Sequence, residues 1–121
     1  MPTEYTQLVA ALKALTQGET PNTRTLLMAE NGWNTRPDAD SYGIVALDFE
    51  TDALHGNDIK CATAYEGSVD LFSRKKHGDG YQLDIEQLLD EYFECSWRLN
   101  HYGWEPETGL FHWEWVFDTE E

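Results

Sequence analysis

The clearest pattern of hydrophobic and polar positions lies near the end of the chain, in the segment Leu110–Phe117. Side chains on a β-strand alternate between the two faces of a sheet. One face of this segment therefore carries four large aromatic residues, namely Phe111, Trp113, Trp115 and Phe117. The other face carries Leu110, His112, Glu114 and Val116. Aromatic side chains bury much apolar surface, so the pattern predicts a strand whose aromatic face is a wall of the core.

Two segments have the 3.6-residue spacing of amphipathic helices. The first is Tyr5–Leu15, with Thr3 as its predicted N-cap. The second is Asp84–Leu99, where Asp84 has the spacing of a capping box with a glutamine three residues later. Asn100 is the predicted left-handed residue after this helix. The predicted apolar stripe of the second helix comprises Ile85, Leu88, Leu89, Tyr92, Phe93, Ser96 and Leu99.

The other apolar segments predict strands separated by turn residues. A short run around Leu26–Met28 is one candidate, and Tyr42–Phe49 is apolar on both faces, which predicts a central strand. Ile59–Arg74 alternates over a long distance and predicts a long strand with a bulge at Gly67. Tyr102–Pro106 is predicted to pair with the aromatic strand as an antiparallel hairpin.

This order of elements predicts an α+β fold, with a mainly antiparallel sheet and two helices packed on one face. A length of 121 residues is enough for one core and indicates a single domain over residues 1–121. The composition is 40% hydrophobic and 13% aromatic, which is typical of a folded globular domain.

The charge balance is strongly acidic, because 8 Lys and Arg residues face 23 Asp and Glu residues and leave a net charge of −15. Phosphate backbones and anionic membranes attract basic surfaces, so we expect no direct nucleic-acid binding and no membrane partner. An acidic surface suits basic protein partners and can imitate DNA. Cys61 and Cys95, without a signal-peptide pattern, predict free thiols in a reducing cytosol.

One stretch has the form of a catalytic motif. The strand that ends in Asp48-Phe49-Glu50-Thr51 resembles the first motif of DEDD-type 3′–5′ exonucleases, in which the Asp and Glu hold two divalent metal ions. That chemistry needs further carboxylates in later motifs, and no later segment has a convincing one. An acidic chain is also a poor match for a nuclease, so the acidic end of a buried strand is the preferred interpretation.

The histidines and cysteines show no metal-ligand spacing, since neither Cys-x-x-Cys nor His-x-x-x-His occurs. No nucleophile elbow or Gly-rich phosphate motif occurs either. We therefore expect no cofactor, no metal site and no catalytic residue. The histidines that the sequence presents as isolated are His55, His77, His101 and His112.

Two clusters of opposite charge are candidate subunit interfaces. The acidic segment carries Asp48, Glu50, Asp52 and Asp58, and the basic cluster consists of Arg74, Lys75 and Lys76. Docking of one cluster on the other in a neighbouring copy would be a heterologous contact, which can close a ring. Glu114, on the polar face of the aromatic strand, is a further candidate interface residue.

Taken together, the chain resembles the tail-terminator, or tail-completion, proteins of long-tailed bacteriophages and prophages. The resemblance rests on an N-terminal helix and a strand that ends in Leu-Asp-Phe-Glu-Thr-Asp-Ala-Leu. A long strand with Ala-Tyr-Glu-Gly-Ser-Val-Asp-Leu-Phe-Ser, a long amphipathic helix and a C-terminal strand pair follow.

This resemblance implies a small α+β subunit that forms a hexameric ring, caps the tail tube, ends its polymerisation and joins tail to head. It implies a non-enzymatic protein of the virion, at the tail end or neck, that is present in the host cytoplasm during assembly. Its partners would be copies of itself, tail-tube proteins and head-connector proteins.

Two other classes of function stay open. An acidic phage-encoded inhibitor, such as an anti-CRISPR or anti-restriction DNA mimic, would bind a basic host nuclease with strong salt dependence. A truncated exonuclease would degrade single strands in a Mg²⁺-dependent reaction that disappears in Asp48→Ala. The pattern also leaves Trp33 and Trp104 open as either core or interface residues.

Overall fold

Two helices and a five-stranded sheet form an α+β fold in the computed structural model. The structure describes residues 3–18, 22–51, 55–56, 59–60 and 64–120, and it describes side chains over 3–18, 22–47 and 65–119. In chain order the elements are α1 (Thr3–Lys13), β1 (Thr16–Gln17), β2 (Arg24–Thr25), β3 (Leu27–Glu30), β4 (Ser41–Thr51), β5 (His55–Gly56), β6 (Ile59–Lys60), β7 (Ala64–Ser73), a 3₁₀ turn (Gly78–Gly80), α2 (Tyr81–Phe93), β8 (Trp97–Glu105) and β9 (Leu110–Glu120).

The main sheet has the strand order β3-β4-β7-β9-β8. All neighbours in it are antiparallel except β3 and β4, which are parallel. The predicted α+β arrangement with a mainly antiparallel sheet is confirmed. The central strand is β7, whereas β4, which was predicted to be central, lies second from the edge. Neither helix of the described chain is long and apolar enough to cross a membrane.

The aromatic face of β9 forms the centre of the core, as predicted from its alternation. Trp113, Trp115 and Phe117 are fully buried, and Phe111 is partly buried against the same cluster. Phe117 stacks on Phe93 of α2 with ring centroids 4.4 Å apart. The helices cover this face with buried residues of α1 and α2, namely Tyr5, Leu8, Val9, Leu12, Tyr81, Ile85, Leu89 and Phe93.

The predicted starts of the two helices are wrong by a few residues. Thr3 is the first residue of α1 rather than its N-cap, and this helix ends at Lys13. Asp84 lies inside the first turn of α2, where it accepts a hydrogen bond from the Gln17 side chain. The residue before α2 is Gly80, whose φ of 86° favours glycine, and no side chain caps the helix there.

The predicted end of the second helix is also wrong, because α2 ends at Phe93. Glu94 has a φ of 48°, and its N–H donates to the carbonyl of Asp90, which closes the last turn. Leu99 therefore lies in β8 and is 45% exposed, and Asn100 is the extra residue where the β8–β9 register shifts. The helix was predicted to continue because the short apolar run that ends at Leu99 fits both the period of a helix and the period of a strand.

The described part of the long predicted strand consists of β6 (Ile59–Lys60), which pairs with β5, and β7 (Ala64–Ser73), which belongs to the main sheet. The predicted bulge lies on the partner strand: Leu47 pairs with Gly67 and Phe49 pairs with Glu66, so the extra residue belongs to β4. Packing, rather than a bulge, explains the glycine at position 67. A methyl group at Gly67 would lie 2.3 Å from the Phe117 ring, so only a glycine admits this ring.

Candidate functional site

A row of rings crosses the face of the main sheet that the helices leave uncovered, here called the open face. Tyr42 of β4 pairs with Phe72 of β7, which pairs with His112 of β9. The ring centroids of Tyr42 and Phe72 are 5.1 Å apart, and those of Phe72 and His112 are 4.3 Å apart. Gly103 of β8 is the next residue in the row and has no side chain.

His112 lies between two carboxylates on the open face. Its Nε2 is 2.7 Å from Asp70 Oδ1, and its Nδ1 is 2.9 Å from Glu105 Oε2. Burial by itself lowers the pKa of His112, but the hydrogen bonds and negative charges of Asp70 and Glu105 outweigh it and raise the pKa above 6.5. When the ring is protonated, both of its nitrogens carry protons and the imidazolium donates to a carboxylate on each side.

His101 completes this group from the neighbouring strand. Its ring meets His112 edge to face, with the centroids 5.3 Å apart. A methyl group at Gly103 would lie 3.6 Å and 3.7 Å from Cε1 and Nε2 of His101, so this ring leans along β8 over the glycine towards His112. One donor atom from each of three residues lies within 4.8 Å of the others, and these residues are His101, Glu105 and His112. They are called the His–Glu–His cluster below.

The bulge in β8 explains why His101 reaches this face. In a regular strand Leu99 and His101 would point to the same side, because side chains alternate. The register shift between Leu99 and His101 reverses this relationship, so Leu99 shares a face with Trp115 and His101 shares one with Glu114. Asn100 Nδ2 donates to Glu114 Oε1 at 2.7 Å beside the bulge.

The sequence missed the cluster because it treated the histidines as isolated. Counting residues outward from the hairpin turn would have placed part of the cluster, since the pairing of Glu105 with Leu110 sets His112 opposite Gly103. The position of His101 also depends on the bulge, which no residue pattern in β8 announces. Asp70 comes from a strand 42 positions away, so no local spacing links it to His112.

Of the residues predicted as subunit interfaces, the structure describes the side chains of Arg74, Lys75, Lys76 and Glu114. Arg74 donates to Asp38 Oδ1 at 3.2 Å and to Asp40 Oδ1 at 3.1 Å, so it has acidic partners within its own chain. Lys75 and Lys76 are exposed after the end of β7. Glu114 lies on the open face and is partly buried. The side chains of the acidic segment, Asp48, Glu50, Asp52 and Asp58, lie outside the described residues, and so do the side chains of the exonuclease-like motif at the end of β4.

The edge strand β8 carries an exposed apolar surface on its helix side. Leu99, Tyr102 and Trp104 are 45%, 43% and 51% exposed. Trp104 packs edge to face on Phe111, and the Tyr102 hydroxyl donates to the carbonyl of Lys76. No strand pairs with the outer side of β8 in the part of the chain that the structure describes. Trp104 is thus an exposed edge residue.

Trp33 differs from Trp104, because its indole is hydrogen-bonded to the sheet. Its Nε1 donates to the carbonyl of Gly43 at 3.0 Å, and the side chain lines a cavity with Arg36, Tyr42, Ile44 and Phe72.

Comparison of the chain with protein-family models and with curated proteins gives no match. The function is therefore inferred from the surfaces described above.

Proposed function

We propose that this protein is a structural subunit that acts by assembling with copies of itself, and that β8 is the strand through which it does so. The observation that carries the proposal is the outer side of β8, with which no strand of the described residues pairs and beside which Leu99, Tyr102 and Trp104 are exposed. Soluble proteins usually protect a long edge strand with charge, proline or a covering element, because free N–H and C=O groups recruit another strand. The nine-residue strand β8 instead exposes three large apolar side chains on its helix side, those of Leu99, Tyr102 and Trp104.

The residue pattern of β8 is complementary to itself. Asn100 is the bulge residue, so Arg98, His101, Gly103 and Glu105 share the open face, and Leu99, Tyr102 and Trp104 share the helix face. Antiparallel pairing of two copies about Tyr102 places Arg98 opposite Glu105 of the other copy. The same register places Leu99 opposite Trp104. Each contact then occurs twice, as in an isologous interface, and joins an ion pair to an apolar pair.

The tail-end ring that the resemblance implies needs a different contact. A ring that caps a tube has two different ends, so every interface in it is heterologous. In this sheet the other edge is β3, a strand of four residues with Leu27 44% exposed. A ring through sheet edges therefore pairs β8 of one copy with β3 of the next, whereas self-pairing of β8 gives a two-fold dimer.

The assembled state and two matched variants separate these arrangements. Native mass spectrometry and light scattering at two concentrations would compare the wild type with Trp104→Lys on β8 and Leu27→Lys on β3. Both changes replace an exposed apolar side chain with a lysine at a sheet edge, where charge opposes strand pairing. Thermal denaturation checks that both variants fold.

Self-pairing of β8 predicts a wild-type dimer that Trp104→Lys dissociates and Leu27→Lys leaves intact. Loss of an interface Trp typically costs about 2 kcal/mol or more, and Trp104 occurs twice in the two-fold dimer, so the dissociation constant should rise by about 30-fold or more. A hexamer that both variants dissociate would support the ring at a phage tail end. A monomer at both concentrations would contradict the proposal and favour the acidic inhibitor.

A further inference from the structure

We propose that the His–Glu–His cluster binds one divalent transition-metal ion of the Zn²⁺ class, with Asp70 holding His112 in the orientation for binding. This inference goes beyond the proposed function and does not depend on it, because the three ligand residues lie within one chain. His101 and Glu105 come from β8, and His112 comes from β9 opposite Gly103.

The donor atoms already lie close to the spacing of ligands on one ion. Two ligands on a zinc ion, each about 2.1 Å from the metal, are about 3 Å to 3.5 Å apart. His112 Nδ1 and Glu105 Oε2 are 2.9 Å apart, and the whole set lies within 4.8 Å. The exposed His101 ring is directed towards His112 over Gly103, so a small side-chain rotation brings its nitrogen to the ion.

Asp70 supplies the contact that metal-binding histidines usually make with their second nitrogen. Its Oδ1 accepts from Nε2–H of His112 at 2.7 Å, which fixes the ring orientation and leaves Nδ1 for the ion. The ion takes the place of the proton that lies between Nδ1 and Glu105 in the metal-free state. That proton is released to solvent on binding.

The chemistry of the donors selects the class of metal. Two imidazole nitrogens and one carboxylate oxygen suit Zn²⁺, Co²⁺ or Ni²⁺, whereas Mg²⁺ and Ca²⁺ prefer oxygen ligands alone. The remaining coordination positions are open to water, since His101 is exposed. Glu114, opposite His101 in the register, adds a further carboxylate to the surroundings and strengthens the attraction for a cation.

The test uses the tag-free full chain after treatment with a chelator. Isothermal titration with Zn²⁺ gives stoichiometry and affinity, and the visible absorption of added Co²⁺ reports the coordination geometry of the bound ion. His101→Ala removes one exposed ligand with little risk to folding. His77→Ala is the matched control, because His77 is also exposed and lies outside the cluster. Asp70→Asn tests the positioning contact, and thermal denaturation without metal checks its folding.

We expect one equivalent of Zn²⁺ that an equal concentration of Mg²⁺ does not displace. His101→Ala should lower the affinity at least tenfold, Asp70→Asn should lower it by about 10-fold to 100-fold, and His77→Ala should leave it unchanged. Absence of saturable binding would overturn the proposal. So would an affinity that His101→Ala leaves unchanged, or displacement by Mg²⁺, since either result would assign binding to the acidic surface.

Discussion

The 2.7 Å contact between His112 Nε2 and Asp70 Oδ1 joins the last strand of the sheet to its central strand across the open face. It is a charge-assisted hydrogen bond, and the side chains of both residues are 16% exposed. Hydrogen bonds to charged groups contribute more to stability than neutral ones. This pair therefore joins β9, which carries the core aromatics, to β7, which carries Val69 and Leu71 of the core.

Removing the carboxylate of Asp70 should destabilise the fold. Asp70→Ala leaves the partly buried Nε2–H of His112 without its acceptor, so we expect the free energy of unfolding to fall by about 1–3 kcal/mol. Urea denaturation of the metal-free protein measures this change. Asp38→Ala is the control, because the side chain of Asp38 is 98% exposed and its ion pair with Arg74 contributes little. Equal effects of the two variants would contradict the assignment.

The charge of His112 should make stability depend on pH near neutrality. Its pKa in the folded protein is raised above the ordinary value of 6.5. The contribution of the ion pairs is therefore fully present below pH 6.5 and is lost as the pH rises through the raised pKa. In the presence of a chelator, the urea midpoint should fall over this interval in the wild type.

The control for this pH dependence is His112→Gln, which keeps a polar side chain but does not titrate. Its urea midpoint should change less over the same interval, because only the general repulsion of an acidic chain remains. A histidine outside the cluster, replaced in His77→Gln, should behave as the wild type does. The same pH slope in all three proteins would show that His112 does not carry the effect.

Gly67 should tolerate no side chain, whereas Gly103 should accept one. A methyl group at Gly67 would lie 2.3 Å from the Phe117 ring and 2.8 Å from the carbonyl oxygen of Ala46. We expect Gly67→Ala to lower the free energy of unfolding by about 1–3 kcal/mol, as for other overpacked cores. Gly103→Ala, whose nearest neighbour is 3.6 Å away, should change it by about 0.5 kcal/mol or less. Thermal denaturation compares the two, and a neutral Gly67→Ala would contradict this packing.

The strongest periodic patterns predicted the fold, but they did not predict the His–Glu–His cluster. The alternation of Trp113, Trp115 and Phe117 is long enough to exclude a helix, and all three are buried as predicted. The apolar run that ends at Leu99 is too short to distinguish the period of a helix from that of a strand. The helix ends before Glu94 because of this residue's positive φ, which the apolar pattern does not indicate. The His–Glu–His cluster depends on strand register and on a bulge, which are properties of pairing rather than of local sequence.

The basic cluster remains a predicted assembly contact, and its two lysines test it. Arg74 is engaged by Asp38 and Asp40 of its own chain, so the charge available to a neighbouring copy resides on Lys75 and Lys76. Reversing both to Glu should raise the dissociation constant of the assembly, and added salt should weaken the wild-type assembly in the same direction. Lys13→Glu, on an exposed position of α1, is the control for a charge reversal outside the basic cluster. An unchanged assembly in the double variant would exclude the basic cluster from the interface and leave β8 as the contact.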